Sequence, residues 1–293
     1  MPLFDVLIVG AGAAGLLAAI RCAERGRRTL LLEKNRKPGV KILMSGGARC
    51  NLTQATDARG IVRAYGGQGR FLHSALAAFG PDDLVALVEA EGVPTKVEST
   101  GKVFPRSDKA ADVLGAFLRR LERSGARVEL GRTVTGLTRE AESWRLETTS
   151  GTISANRVVI ASGGKSYPGC GTTGDAWSWL AGLGHTIVTP RPALVPLTSD
   201  AAWVAGLAGV TIPDVAVAVV PRMSPFGQPF EVDARAPVDR GSLLFTHRGV
   251  SGPVVLNVSR GVTAQSDPTV AALRCDFVPT IGAEDLDRLV SQR

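Results

Sequence analysis

The stretch Leu3-Phe-Asp-Val-Leu-Ile-Val-Gly-Ala-Gly-Ala-Ala-Gly15 decides the architecture. Residues 3–9 are an apolar, partly β-branched run that stops at glycine, the pattern of a parallel strand buried on both faces. Leu16 to Glu24 is rich in Ala and Leu, which favours helix, and Gly26 ends it. Thr29 to Leu32 is a second strand that finishes at Glu33, so the opening forms one βαβ unit.

Gly10, Gly12 and Gly15 spell GxGxxG between that strand and that helix, and Glu33 closes the next strand 23 residues after Gly10. Each glycine has its own reason. Gly10 permits a tight turn, Gly12 lets the backbone approach a pyrophosphate where a Cβ would collide, and Gly15 allows helix to pack closely on strand. The phosphates would meet free N–H groups at the helix N-terminus, and Glu33 would accept from a ribose that carries free hydroxyls. A helix terminus contributes up to about 2 kcal/mol toward holding an anion, whereas micromolar affinity needs about 8 kcal/mol. Other loops must therefore contribute, and two stand at the ends of expected strands: Lys41-Ile-Leu-Met-Ser-Gly-Gly-Ala-Arg-Cys-Asn51 and Ala161-Ser-Gly-Gly164.

A second match in letters, Gly169-Cys-Gly-Thr-Thr-Gly174, follows Tyr167-Pro168 instead of a strand, and no acid closes a following strand at the required distance. It is rejected as a nicotinamide fingerprint. With one dinucleotide domain evident, NAD(P)H would visit only as a diffusible reductant.

Outward from the fingerprint, Asp112 to Arg123 places Val113, Leu114, Phe117, Leu118 and Leu121 at the spacing of one helix face. A short strand, Arg127 to Leu130, follows. Arg145 to Thr149 and Thr152 to Ala155 alternate around Ser150-Gly151 as a hairpin, and Arg157 to Ala161 is expected as another buried strand. Strands and helices alternate to this point, which predicts an α/β doubly wound sheet over residues 1–190. Pro190, Pro192 and Pro196 mark a linker. Beyond it Val215 to Val220 and Leu243 to Thr246 are strand-like without matching helices, so residues 191–278 are expected as a mostly β, barrel-like domain. Glu284 to Val290 starts a small helical segment within 279–293.

The 293 residues suffice for about two domains. With 44% hydrophobic and 21% charged residues the chain falls among soluble globular proteins, not disordered ones. The longest uncharged apolar run lies between Asp5 and Arg21 and is too short for a membrane span. Asp5 and the interrupting glycines also argue against a signal peptide, so a cytoplasmic location is expected. Cys22, Cys50, Cys170 and Cys275 form no CxxC, which points to reduced thiols and no metal site. Of the net charge of +7, a surplus of six arises in residues 1–50, which hold nine Lys or Arg against three acids. That local potential suits one diphosphate, and a nucleic-acid partner is not expected because no basic stretch is interleaved with aromatics.

The opening GAGAAG, the segment Lys41 to Thr53, Ile160 to Asp175, Pro192 to Leu197 and Leu244 to Pro253 together resemble the BaiN-like, or YhiN-like, bacterial flavoproteins. The resemblance runs in order from residue 4 to about residue 260. It implies FAD bound by a glutathione-reductase-like domain that is interrupted by an inserted β-barrel and a small helical segment. It also implies an NAD(P)/FAD-dependent oxidoreductase, and the leading expectation is that the flavin passes a hydride between a nicotinamide donor and an unsaturated or carbonyl-containing small molecule. Carried over position by position, it assigns flavin contacts to Gly10, Gly12, Ala13, Ala14, Gly15, Glu33, Lys34, Lys41, Ser45, Gly46, Arg49, Cys50 and Asn51, and to Ala161, Ser162, Gly163 and Gly164. Val134 is implied as the adenine contact. Ala48, Gln54 and Ser162 stand where the family usually has Gly, Asn and Thr. Members normally return to the first domain through a closing segment over the flavin, and nothing in this sequence corresponds to it. A truncated member is therefore expected, with a non-catalytic remnant as one alternative and a flavin-dependent nucleic-acid-modifying enzyme as another.

Among groups able to move a proton, His247 and Tyr167 lie inside these motifs and are the catalytic candidates, with structural hydrogen bonding as the competing role. Cys50, between Arg49 and Asn51, reads either as a thiol activated by Arg49 or as a packed small residue, and Cys170 is as ambiguous. His73, His185, Trp177 and Trp179 read as structural residues, and Arg248 as a solvated charge or an anchor for an acidic substrate.

Overall fold

A computed structural model describes residues 4–221 and 238–292. It divides into two compact units, Met1–Ile187 and Val188–Arg293.

The first unit opens with β1 (Phe4–Val9), α1 (Ala13–Glu24) and β2 (Thr29–Glu33). Side chains alternate across a strand, so β1 sends Val6 and Ile8 into one apolar layer and Leu7 and Val9 into the other. Leu31 and its neighbours Leu30 and Leu32 split in the same way on β2. Being covered on both faces is what makes these strands continuously apolar.

The chain continues through α2 (Val40–Ala48), β3 (Thr53–Gln54), α3 (Ala58–Ala64), α4 (His73–Ala78), α5 (Pro81–Ala90), β4 (Thr95–Val97) and β5 (Lys102–Pro105). Next come α6 (Ala110–Ser124), β6 (Arg127–Leu130), β7 (Val134–Arg139), β8 (Trp144–Thr148), β9 (Gly151–Ile160) and α7 (Ala176–Gly182). The main sheet has the order β6-β2-β1-β9-β8-β7. β6, β2, β1 and the second half of β9 are parallel, whereas β7, β8 and the first half of β9 form an antiparallel meander. The expected separate strand at Arg157 is thus corrected. It is the second half of β9, which changes partner from β8 to β1 at Ala155. The segment from Lys41 is likewise no open loop. It is helical until Ser45, Gly46 and Gly47 leave helical geometry. Small strands β3, β5 and β4 make a separate sheet.

The second unit contains β10 (Leu197–Thr198), α8 (Ala202–Gly206), β11 (Thr211–Pro221), β12 (Val238–Thr246), β13 (Gly249–Ser251), α9 (Pro253–Thr263), β14 (Ala271–Asp276) and α10 (Ala283–Ser291). Its antiparallel sheet has the order β10-β13-β12-β11-β14. The expectation that its strands lack matching helices is corrected by α9. Val254 and Val255 of that helix are fully buried against Val215, Val217 and Leu243. No single described helix is long and apolar enough to cross a membrane, and Gly66–Ala78 with Pro81–Ala90 reaches that length only as a pair bent by 42°.

Candidate functional site

The order of the main sheet reverses at β1, whose neighbours are β2 and β9. Ligand crevices of doubly wound sheets open beyond the carboxyl ends of the strands at such a point. A groove of about 560 Å³ lies there, lined by Gly10 after β1, Glu33 at the end of β2 and Ala161 after β9.

Three glycines hold the turn in three different ways. A Cβ on Gly15 would stand 1.8 Å from the carbonyl oxygen of Gly10, so helix and turn touch there. Gly10 has φ +101°, and a Cβ on it would stand 2.6 Å from the oxygen of Ala161. Gly12 differs from both. Its backbone is extended, with φ −77°, and a Cβ on it would meet nothing within 4 Å. Neither packing nor backbone geometry requires glycine at residue 12, and the volume a side chain would fill belongs to the groove. Behind it α1 carries no side-chain cap. Its first intrahelical bond runs from the Leu16 amide to the Gly12 oxygen at 2.9 Å, which leaves the amides ahead of Leu16 without an intrahelical acceptor, and of these residues Ala13 and Ala14 line the groove. Open space beside uncapped amides fits a diphosphate.

Glu33 is only 8% exposed. One of its oxygens accepts from the Ala11 amide at 2.7 Å and the other from the Asn35 amide at 2.8 Å. The carboxylate thereby ties the glycine turn to the end of β2. An ionised carboxylate has about four acceptor positions, so two are left for a ligand hydroxyl.

Of the residues implied by the resemblance, Gly10, Gly12, Ala13, Ala14, Glu33, Lys34, Lys41, Ser45, Cys50, Asn51, Val134, Ala161, Ser162 and Gly163 all line this groove. Gly15, Gly46, Arg49 and Gly164 do not. Gly46, at φ +57°, is pressed between Phe104 and Asn51. The guanidinium of Arg49 lies 4.0 Å from the centre of the Phe104 ring and donates to Glu98 at 2.5 Å. Asp108 completes this network through Arg49 and Lys96. Arg49 is thus occupied elsewhere and does not activate Cys50. Burial pushes the Cys50 thiol up, and a hydrogen bond with Ser45 offsets this only in part.

Sequence reasoning missed the roof of the groove. Arg132, Thr133, Asn35, Thr172, Asp175 and Trp179 also line it. The loop that carries Thr172 and Asp175 contains the second glycine-rich match, and it is held down by three side chains that follow β2. Lys34 donates to Asp175 at 2.5 Å and to Thr173 at 2.9 Å. Asn35 donates to the Cys170 carbonyl at 3.0 Å, and Lys41 to the Ser166 carbonyl at 2.9 Å and to Thr172 at 3.0 Å. The Lys34 ammonium holds the Asp175 carboxyl below its ordinary range, and Thr173 adds to the effect. Tyr167, in the same loop, is 70% exposed and outside the groove lining. His247 lies in the exposed turn between β12 and β13 of the second unit.

The family model of the HI0933-like protein Rossmann domain matches residues 4–290. The chain belongs to the HI0933-like family, and the match spans both of its units. It is 34% identical over 263 residues to the ribosomal RNA dihydrouridine synthase of Escherichia coli K12, covering 88% of this chain and 61% of that one. It is 31% identical over 284 residues to the 3-dehydro-bile acid delta(4,6)-reductase of Clostridium scindens, covering 95% of this chain and 66% of that one. The chain therefore spans somewhat under two thirds of the length of these relatives. Among solved structures, a flavocytochrome c3 fumarate reductase in its open conformation aligns at a TM-score of 0.48 and 18% identity, over 72% of this chain and 47% of that one.

Proposed function

We propose that this chain holds FAD in the groove and serves the reduction of a carbon–carbon double bond conjugated to a carbonyl. Gly12 carries the reading, because it lines the groove at the uncapped start of α1 and a Cβ there would meet no atom of the protein. In this assignment the amides of Gly12, Ala13 and Ala14 hold the diphosphate, Glu33 takes the ribose, and Val134 with Arg132 and Thr133 receives the adenine. Lys41, Ser45, Cys50, Asn51 and Ala161 to Gly163 surround the flavin half. Gly15, Gly46, Arg49 and Gly164 act from behind, by shaping the segments that touch it.

The names of the two relatives share one chemistry. A uracil ring becomes dihydrouracil by gaining two hydrogens across a double bond conjugated to its carbonyl, and a 3-oxo steroid with double bonds at positions 4 and 6 offers the same kind of bond. A bound flavin supplies the hydride for such a reduction, and NAD(P)H, oxidised to NAD(P)+, replaces the electrons. The protein's part is to orient the acceptor and deliver a proton, for which we assign Tyr167, in the loop whose Cys170 to Thr172 line the groove. A small-molecule acceptor in the cytoplasm is the first reading. RNA is the second, favoured by the likeness to the dihydrouridine synthase.

Reconstitution tests this directly. The purified chain mixed with FAD and passed through a desalting column should stay yellow, bleach with NADPH or NADH under anaerobic conditions, and regain its colour on addition of a 3-oxo-4-ene steroid or of uridine-containing RNA. A colourless eluate overturns the flavin assignment. Reoxidation by an acceptor after reduction by dithionite, with no response to either nicotinamide, removes the NAD(P)H link alone.

A further inference from the structure

Residues 57–78, between the groove-lining Leu52 and Phe79 in the chain, are almost wholly unburied. Within them α3, a 3-10 turn over Gly66–Leu72 and α4 pack on one another, and Gly69 is the only buried residue. A Cβ on Gly69 would stand 2.0 Å from the Val62 carbonyl oxygen, so the turn is pressed onto α3 and its side chains are thrown outward. The aromatics are among them. Phe71 is 90% exposed and Tyr65 is 59% exposed. A phenyl ring left almost wholly in water gives up the burial that stabilises such a side chain, which marks a contact surface more than a packing element.

The charges around these rings are of one sign. Residues 57–80 contain Arg59, Arg63 and Arg70 against one acid, Asp57, whose carboxylate accepts from the Gly60 amide at 2.7 Å. All three arginines are exposed, and among the described residues none of them pairs with a carboxylate. Elsewhere in this unit arginines are commonly paired, as Arg28 is with Asp5 and Arg120 with Glu24. This segment is also continuous with the groove lining. Leu52, before it in the chain, and Phe79, directly after it, both line the groove.

We propose that residues 57–78 form a docking surface for a single-stranded segment of RNA, with bases stacked on Tyr65 and Phe71 and phosphates held by Arg59, Arg63 and Arg70. Contrary to the expectation from sequence, residues 57–78 do interleave exposed cations with exposed rings, the arrangement that binds single strands without reading sequence. Such a surface bordering the groove brings an unpaired uracil to its mouth, where a base inside a duplex would be out of reach. The choice of RNA rests on the second reading given above, and it names the substrate class of that same groove.

Fluorescence anisotropy of the full chain with a labelled oligouridine of about 12 nucleotides, a length that fits typical single-strand sites, tests the proposal. Phe71→Ala and Tyr65→Ala should each weaken binding by about 5- to 100-fold, the range that loss of one stacked base produces, whereas Phe71→Trp should retain it. Arg63→Gln and Arg70→Gln should each lower the slope of log affinity against log salt by about 0.7. These side chains lie on the surface, so all variants should keep the wild-type retention of FAD. The proposal is overturned by absence of binding at low salt, by binding that ignores these substitutions, or by equal binding of duplex RNA or of anionic phospholipid vesicles. Loss of flavin from a Gly12 variant with oligouridine binding intact leaves the surface standing. A yellow protein that ignores oligouridine sinks the surface and leaves the flavin groove.

Discussion

Residues 10–15 and 169–174 carry the same GxGxxG letters and use them for opposite purposes. In the first, the middle glycine faces open groove, and a Cβ there would touch no atom of the protein. In the second, the middle glycine, Gly171, has φ +89°, and a Cβ on it would stand 2.8 Å from Asn35 Nδ2. The last glycine, Gly174, has φ +76° and would crowd Lys165 and Trp177. The first motif keeps space for something outside the chain, while the second uses glycine to let its own loop turn and lie close over β2. Placement between a strand and a helix, and not the letters, separates a ligand cradle from a packed loop.

Four substitutions probe this contrast, in descending order of effect. Gly15→Val should do the most damage, because its Cβ meets backbone, which cannot step aside. Destabilisation of about 3 kcal/mol or more is expected for such overpacking, seen as early urea unfolding of the first unit. Gly12→Val should leave urea unfolding within about 1 kcal/mol of wild type, since N-cap changes act on that scale. It should nevertheless weaken FAD binding by about 30-fold or more, the equivalent of the ~2 kcal/mol that a helix terminus gives an anion. Equal loss of stability in the two variants would erase the distinction between cradle and packing. In stability Gly171→Ala should fall between these two variants, with a smaller effect than Gly12→Val on FAD binding. Its neighbours Asn35 and Lys34 are flexible side-chain ends that can move, so only the cost of a left-handed backbone, about 1–2 kcal/mol, remains.

The floor of the site was readable from sequence because it consists of three strand ends, each announced locally: an apolar run closed by Gly10, by Glu33 and by Ala161. The roof was not, because its contacts join distant parts of the chain. Lys34 meets Asp175 across 141 positions, and Arg49 turns to Glu98 across 49. A cation beside a fingerprint looks free until its carboxylate is placed. β9 was divided in two because the polar pair Asn156-Arg157 interrupts its apolar pattern close to the residue where its partner strand changes. β7 escaped notice because Gly136 and a register shift after Val134 break its alternation. The short helices α3 and α4 flank a glycine-dense turn, and glycine argues against helix wherever packing is not visible.

The smallest effect concerns the clamp by which Lys34, after β2, holds Asp175 at the end of the second glycine motif. Asp175 is held below its ordinary range chiefly by the hydrogen bond from Lys34 and then by that from Thr173. A depressed carboxylate adds stability that is complete above its unfolded pKa, about 3.9 for aspartate, and is lost as the pH falls through its lower folded value. The pair is partly exposed, with side chains 28% and 34% accessible, and contributes on the order of 0.2–1 kcal/mol. Asp175→Asn should therefore lower Tm slightly and by a constant amount between about pH 5 and 8, and the difference from wild type should shrink toward zero below about pH 4. Titrating FAD into both proteins at neutral pH sharpens the contrast with residues 10–15. If the second motif only packs the loop, affinity should fall less than about three-fold, in step with the small loss of stability. A larger fall would make Asp175 part of the ligand's own contacts, and the second motif would then belong to the site in the same sense as the first.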